Sequence, residues 1–155
     1  MDTNIFIDKM LDFQKEHNIR NQCVSNSILL RDFLKSRGLN AKVKAVFSEH
    51  FIEEEKRLVL TCHMVVEIEE EIVVDPSYDI CRYNATYMDN ISVVMERLKK
   101  GNPNAKQEGL SVREVVSRFI EFIKDAEEIN NSKSIRNEYM IKQLKYINKY
   151  IKNHK

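Results

Sequence analysis

Tryptophan is absent from the chain, and proline, glycine and cysteine are scarce, with two, three and three residues in 155. Three scattered glycines build no glycine-rich phosphate loop, and neither a low-complexity tract nor an internal repeat occurs. The three cysteines, an odd number without a Cys-x-x-Cys pair, exclude a disulfide framework and fit a reducing compartment. Cys23, Cys62 and Cys81, taken with His50 or His63, have the spacing of no structural zinc site, so neither a metal nor another cofactor is expected. An excess of one charge is missing too. The 25 basic residues against 24 acidic ones leave +1, which gives no overall pull toward nucleic acid. No run of about 18 apolar residues is present, and the opening MDTNIFIDKMLDF carries acids where a signal peptide would be apolar. The expectation is a cytoplasmic protein with no membrane partner. What remains is 43% hydrophobic and 32% charged, the make-up of a globular protein that folds residues 1–155 as a single domain.

The stretch from Asn21 to Tyr78 is the most informative. Gln22 to Arg37 has a helical period: Cys23, Leu30 and Leu34 recur at i, i+7 and i+11, while Arg31, Asp32 and Lys35 point elsewhere. Gly38 ends this helix. Cys23 then lies in the first turn, where unpaired N–H groups and the positive end of the helix dipole favour thiolate over thiol. A free cysteine also packs as a small buried hydrophobe, so its neighbours must decide its role. Leu58 to Ile68 is rich in β-branched residues and reads as a strand, as does Ile72 to Val74, with Glu69 and Glu70 at the bend. If Glu67 closes on Glu71 across a three-residue loop, Val66 faces Ile72, Val65 faces Val73, Met64 faces Val74 and His63 faces Asp75. This register gathers Met64, Val66, Ile72 and Val74 on one apolar face and sets His63 beside Asp75 on the other. A two-residue turn would part His63 from Asp75, and it would need Asn or Gly where the chain has Glu. A cysteine heading a helix, a strand histidine and an aspartate beside it are the parts of a thiol nucleophile, its base and the base's orienter.

That order, with Pro76 directly after Asp75, resembles the core of the transglutaminase-like branch of the papain-like cysteine enzymes. The likeness covers residues 20 to 80. Leu30, Arg31, Leu34 and Gly38 lead into Ala41-Lys42-Val43 much as the family's leucine-arginine, glycine turn leads into its strand. His63 and Glu67 match the family's His-x-x-x-Glu element, and Asp75, Pro76 and Ser77 match its Asp-Pro-Ser/Thr element. Members commonly carry an aromatic just before the cysteine and another two residues after the histidine; Gln22 and Val65 stand there in this chain. The resemblance implies Cys23 as nucleophile, His63 as base and Asp75 as orienter. It implies thiol-dependent acyl transfer or amide and peptide hydrolysis, with a protein or peptide as substrate and no cofactor. Gln22 is a candidate oxyanion donor, as a glutamine is in papain-like enzymes generally. The same fold without catalysis would serve as a protein-binding module.

Around this core, residues 3–16 read as a helix carrying Phe6, Met10 and Phe13, packed on the Cys23 helix. Ala41 to Phe47 alternates lysine with Val43, Ala45 and Phe47, the pattern of a strand solvated on one side. The acidic SEHFIEEEK reads as a loop or strand extension with His50 at the surface, and alternation turns Cys62 toward the core. Past Asp75, PSYDICRYNATYMD has no clean period; its tyrosines, Tyr78, Tyr83 and Tyr87, bridge core and water or cover the cleft. Asn90 caps a helix with Ile91, Val94, Met95 and Leu98, stopped by Gly101 and Pro103. Ser111 and Glu114 form a capping box ahead of Val112, Val115, Val116, Phe119, Ile123 and Ala126. Asn130-Asn131-Ser132 breaks that helix. A last one places Met140, Leu144, Ile147 and Ile151 inward and Lys142, Lys145, Lys149 and Lys152 outward, as a solvated face more than a nucleic-acid interface. The expected architecture is α+β: a papain-like or transglutaminase-like core over residues 20–80, its N-terminal-cysteine helix packed on a small, mainly antiparallel sheet, with helices added over residues 88–152. Oligomeric state is not readable from the sequence.

Overall fold

A computed structural model describes residues 2–100, 111–133 and 136–153. Among them the fold is α+β, with six helices and a four-stranded antiparallel sheet. The helices are α1 (Thr3–Glu16), α2 (Cys23–Ser36), α3 (Tyr78–Cys81), α4 (Ile91–Lys99), α5 (Val112–Asn131) and α6 (Glu138–Asn153). The strands β1 (Ala41–Ile52), β2 (Arg57–Ile68), β3 (Ile72–Val74) and β4 (Thr86–Met88) lie in the order β3-β2-β1-β4.

Local chemistry sets most boundaries. Asp2 caps α1 by accepting from the Asn4 amide, Asn90 caps α4 from its Oδ1, and Ser111 with Glu114 forms the expected capping box on α5. Gly38, at φ +82, takes the left-handed conformation that lets the chain leave α2. Gly101 and Pro103, expected to stop α4, lie outside the described residues. The α2 helix is buried on most sides. Leu29, Leu30 and Leu34 meet Phe6 and Met10 of α1 and Met140 and Ile147 of α6 in one apolar cluster. On the same face of the long β1–β2 hairpin, Val43, Ala45, Phe47 and Met64 pack with Val94, Val115 and Phe119 in a second cluster.

Two expectations are corrected. The β2–β3 register pairs Val66 with Val74, Glu67 with Val73 and Ile68 with Ile72, two residues away from the expected pairing. Glu69 and Glu70 take positive φ angles of 54 and 57, so the three-residue turn is 69–71, closed by the Glu71 amide on the Ile68 carbonyl at 3.1 Å. This avoids setting Glu67 against Glu71 and frees Glu67 to pair with Lys42 and Lys44. Because side chains alternate with period two, the shift leaves His63 and Asp75 on one face as diagonal neighbours. Second, β1 continues through SEHFI to Ile52, pairing in register down to Arg57, so His50 is buried at 5% exposure and does not lie at the surface. Arg31, read as pointing away from the Cys23 stripe, is 3% exposed, and its guanidinium bonds the Ile129 carbonyl at the end of α5 and the Asp32 carboxylate. The break expected at Asn130-Asn131-Ser132 is where α5 ends, at Asn131 with Ser132 as its C-cap.

Asn130 also completes the sheet edge. Its Nδ2 donates to the Val43 carbonyl at 2.8 Å and its Oδ1 accepts from the Val43 amide at 2.9 Å, so one side chain imitates a neighbouring strand beyond the end of β4. Replacing Asn130 by alanine leaves both backbone groups unpaired and should cost about 1–3 kcal/mol in urea denaturation; an unchanged midpoint would show that α5 does not hold the sheet.

Candidate active site

Two left-handed residues shape the approach to α2. Asn18 and Asn21 have φ angles of 50 and 58, and the Asn21 amide donates to Asp79 Oδ2 at 3.1 Å. Gln22 follows as the N-cap residue; its carbonyl accepts from the Asn26 amide at 2.9 Å, while its side chain makes no cap hydrogen bond. Cys23 is therefore the first residue of α2, half-buried. A cleft of about 390 Å³ opens from the next residue, between Val24 and Ile28 of α2 and Asp125, Glu128 and Ile129 of α5.

The helix is fastened to β2, which carries His63, and to the turn after β3, which carries Asp75. Ser27 Oγ donates to the Met64 carbonyl at 3.1 Å, next to His63, and Asn26 Nδ2 donates to Ser77 Oγ at 3.0 Å, two residues past Asp75. Gln14 of α1, 1% exposed, donates to the Pro76 carbonyl and to Gln143 Oε1, and accepts from the Tyr78 amide. Gln143 and Tyr139 of α6 in turn donate to Asn26 Oδ1. Buried amides are costly unless satisfied. Here they join α1, α2 and α6 into one network that clamps the Asp75-Pro76-Ser77 corner.

His63 and Asp75 meet inside that clamp, their side chains each 3% exposed. The imidazole Nε2 lies 2.9 Å from both carboxylate oxygens. Oδ1 also accepts from the Ser77 amide at 2.9 Å, and Oδ2 from the Tyr87 hydroxyl at 2.6 Å. With Nε2 donating to Asp75, Nδ1 is the nitrogen left for the Cys23 sulfur, the ring's other polar neighbour. Burial alone lowers the imidazole pKa, but hydrogen bonds to Asp75 and Cys23, reinforced by charge, reverse this and carry it up to about 10. The site thus combines a sulfur, a ring that holds a proton at neutral pH and a fixed carboxylate. Burial pushes the other two thiols up, Cys62 to about 11 and Cys81 to about 12, the latter also through the charges of Asp75 and Asp79.

Cys23, His63 and Asp75 are therefore brought together, and Gln22 sits at the mouth of the helix with its amide not used in capping. Sequence reasoning missed Gln14, and for Tyr87 it left covering the cleft open beside bridging core and water. The signal for Gln14 was present, since it extends the Met10 stripe by one helical turn and a polar residue on an apolar face needs a buried partner. The contact of Tyr87 with Asp75 depends on β4 pairing with β1, Ser48 opposite Tyr87, which no local pattern announces. Among the described residues no group of His, Cys, Asp and Glu is arranged to hold a metal ion, and no helix is long and apolar enough to cross a membrane. No family model matches the chain, and neither a curated protein nor a solved structure does.

The raised His63 pKa has a stability consequence. A group whose folded pKa exceeds its unfolded value of about 6.5 contributes stability that is complete below that value and is lost as pH rises through the folded pKa. The difference in unfolding free energy between the wild type and His63→Gln should therefore be largest near pH 6 and shrink toward pH 10. A difference independent of pH would contradict the pairing.

Proposed function

We propose that this chain is a cysteine enzyme of the papain-like, transglutaminase-like kind, catalysing acyl transfer or amide hydrolysis on a protein or peptide through Cys23, His63 and Asp75. The observation that carries this reading is the His63 ring, held at Nε2 by both oxygens of Asp75 with Nδ1 left for a cysteine at a helix start. The order of the elements, a cysteine-headed helix followed by an antiparallel sheet, supports the same family reading.

In the reaction the Cys23 thiolate adds to the carbonyl carbon of the substrate amide. The resulting oxyanion faces the start of α2, where backbone N–H groups and the Gln22 amide are the available donors. As the intermediate collapses, the C–N bond breaks and His63 gives its proton to the departing amine, leaving a Cys23 thioester and a neutral imidazole. Water or a second amine then attacks the thioester while His63 takes up its proton. Collapse expels the Cys23 thiolate and restores the charged ring. Asp75 keeps the proton-bearing Nε2 turned away from the chemistry and offsets the ring's charge. The whole chain acts as one domain in this proposal, because the helices after β4 complete both the core and the network behind Asp75.

The test is alkylation by limiting iodoacetamide under native conditions, mapped by mass spectrometry. Cys23 should be labelled first, its labelling should persist below pH 7, and His63→Ala should slow it about a hundredfold, the low end of what a general acid–base group contributes. Equal labelling of Cys23 and Cys81, with the pH profile of an ordinary thiol near 8.5, would overturn the enzyme and favour a binding module on this fold.

A further inference from the structure

Tyr87 reaches Asp75 from the far edge of the sheet. Residues 75–85 leave β3 at one edge and return as β4 at the other, so this segment crosses β2 and β1. Tyr83 of this segment and Tyr87 of β4 stack on histidines of the sheet: Tyr83 on His50, with centroids 5.0 Å apart and planes 12° from parallel, and Tyr87 on His63, at 6.3 Å and 18°. Only Tyr87 goes further, its hydroxyl donating to Asp75 Oδ2 at 2.6 Å, whereas the Tyr83 hydroxyl accepts from Arg82 at 2.5 Å. A phenylalanine would fill the space over His63 equally well. The hydroxyl is the part that packing does not explain.

We propose that Tyr87 is a positioning residue of the Cys23 site, its hydroxyl fixing the plane of the Asp75 carboxylate while its ring limits the tilt of the His63 imidazole. The inference rests on the acyl-transfer reading above. A carboxylate turns easily about its Cβ–Cγ bond unless both oxygens are held. Apart from the imidazole itself, Oδ1 is held by the Ser77 amide and Oδ2 by Tyr87. These two donors come from opposite ends of the crossing segment, so together they set the carboxylate plane and with it the direction of Nε2–H. The ring nitrogen on the other side then has one direction, toward the sulfur. Burial and the charge of Asp75 push the phenol pKa up, so the hydroxyl remains a donor across the working range. A hydroxyl that bonds a carboxylate also leaves that carboxylate buried and unpaired on one lone pair when it is removed.

Tyr87→Phe keeps the stacked ring and deletes the bond. The experiment compares the rate of Cys23 alkylation across pH in the wild type, Tyr87→Phe, Asp75→Asn and the double variant, with Tyr83→Phe as a control on the same segment and thermal midpoints measured for all. Tyr87→Phe should slow alkylation at neutral pH about tenfold, the rate counterpart of one charge-assisted hydrogen bond, and move the pH profile toward that of a simple thiol. In the Asp75→Asn background it should add little, because it acts through that carboxylate. Tyr83→Phe should change neither rate nor profile. The inference is overturned if Tyr87→Phe alkylates like the wild type, if its effect multiplies with that of Asp75→Asn, or if Tyr83→Phe slows the reaction as much. A wild type with no activated Cys23 would instead remove the acyl-transfer reading, and the positioning role with it.

Discussion

A carboxylate taken out of water must have its lone pairs filled, and much of this fold is arranged around satisfying Asp75. Ionised, it offers about four acceptor sites. His63 Nε2 bridges both oxygens, the Ser77 amide adds to Oδ1 and the Tyr87 hydroxyl to Oδ2. Each partner brings a different part of the chain: β2, the turn after β3, and β4. The turn is held in turn by Gln14 of α1 and Asn26 of α2, and Asn26 by Tyr139 and Gln143 of α6. The C-terminal helix thus stands two hydrogen bonds from Ser77 without touching the triad.

A buried ion pair of this kind is weak evidence for stability, because desolvation offsets most of the attraction. Its effect on protonation is larger. Apolar burial would keep His63 neutral, and the pairing with Asp75 and Cys23 keeps it charged. His50 shows the opposite outcome on the same sheet face. Burial and the positive charge of His63 lower its pKa, and its Nδ1 has no hydrogen-bond partner. Of two histidines stacked on two tyrosines, one thus has its pKa raised and the other lowered, because only His63 is hydrogen-bonded to a carboxylate.

How much of this could be read from the sequence follows from the range of each interaction. Helix ends such as Asn90, Gly38 and the Ser111–Glu114 box were legible, because caps depend on residues within one turn. The shared face of His63 and Asp75 was legible by parity, and parity is all that hydrophobic sorting fixes. A register displaced by two residues sorts the same side chains, and the choice fell to backbone angles at Glu69 and Glu70 and to the ion pairs of Glu67. Arg31, His50, Asn130 and Tyr87 were misread or passed over for another reason. Their partners lie 9 to 99 residues away along the chain, at Val59, Asn130, Val43 and Asp75, and no local period announces them.

The central claim is that His63 is a charged ring held between a carboxylate and the Cys23 sulfur, and nitrogen NMR of the imidazole tests it directly. In the wild type both ring nitrogens should carry protons at pH 8, and replacing Cys23 by serine should lower the pH at which the ring titrates, because the sulfur is one of its two supports. A ring that titrates near 6.5 in the wild type, or one indifferent to the loss of Cys23, would contradict the account.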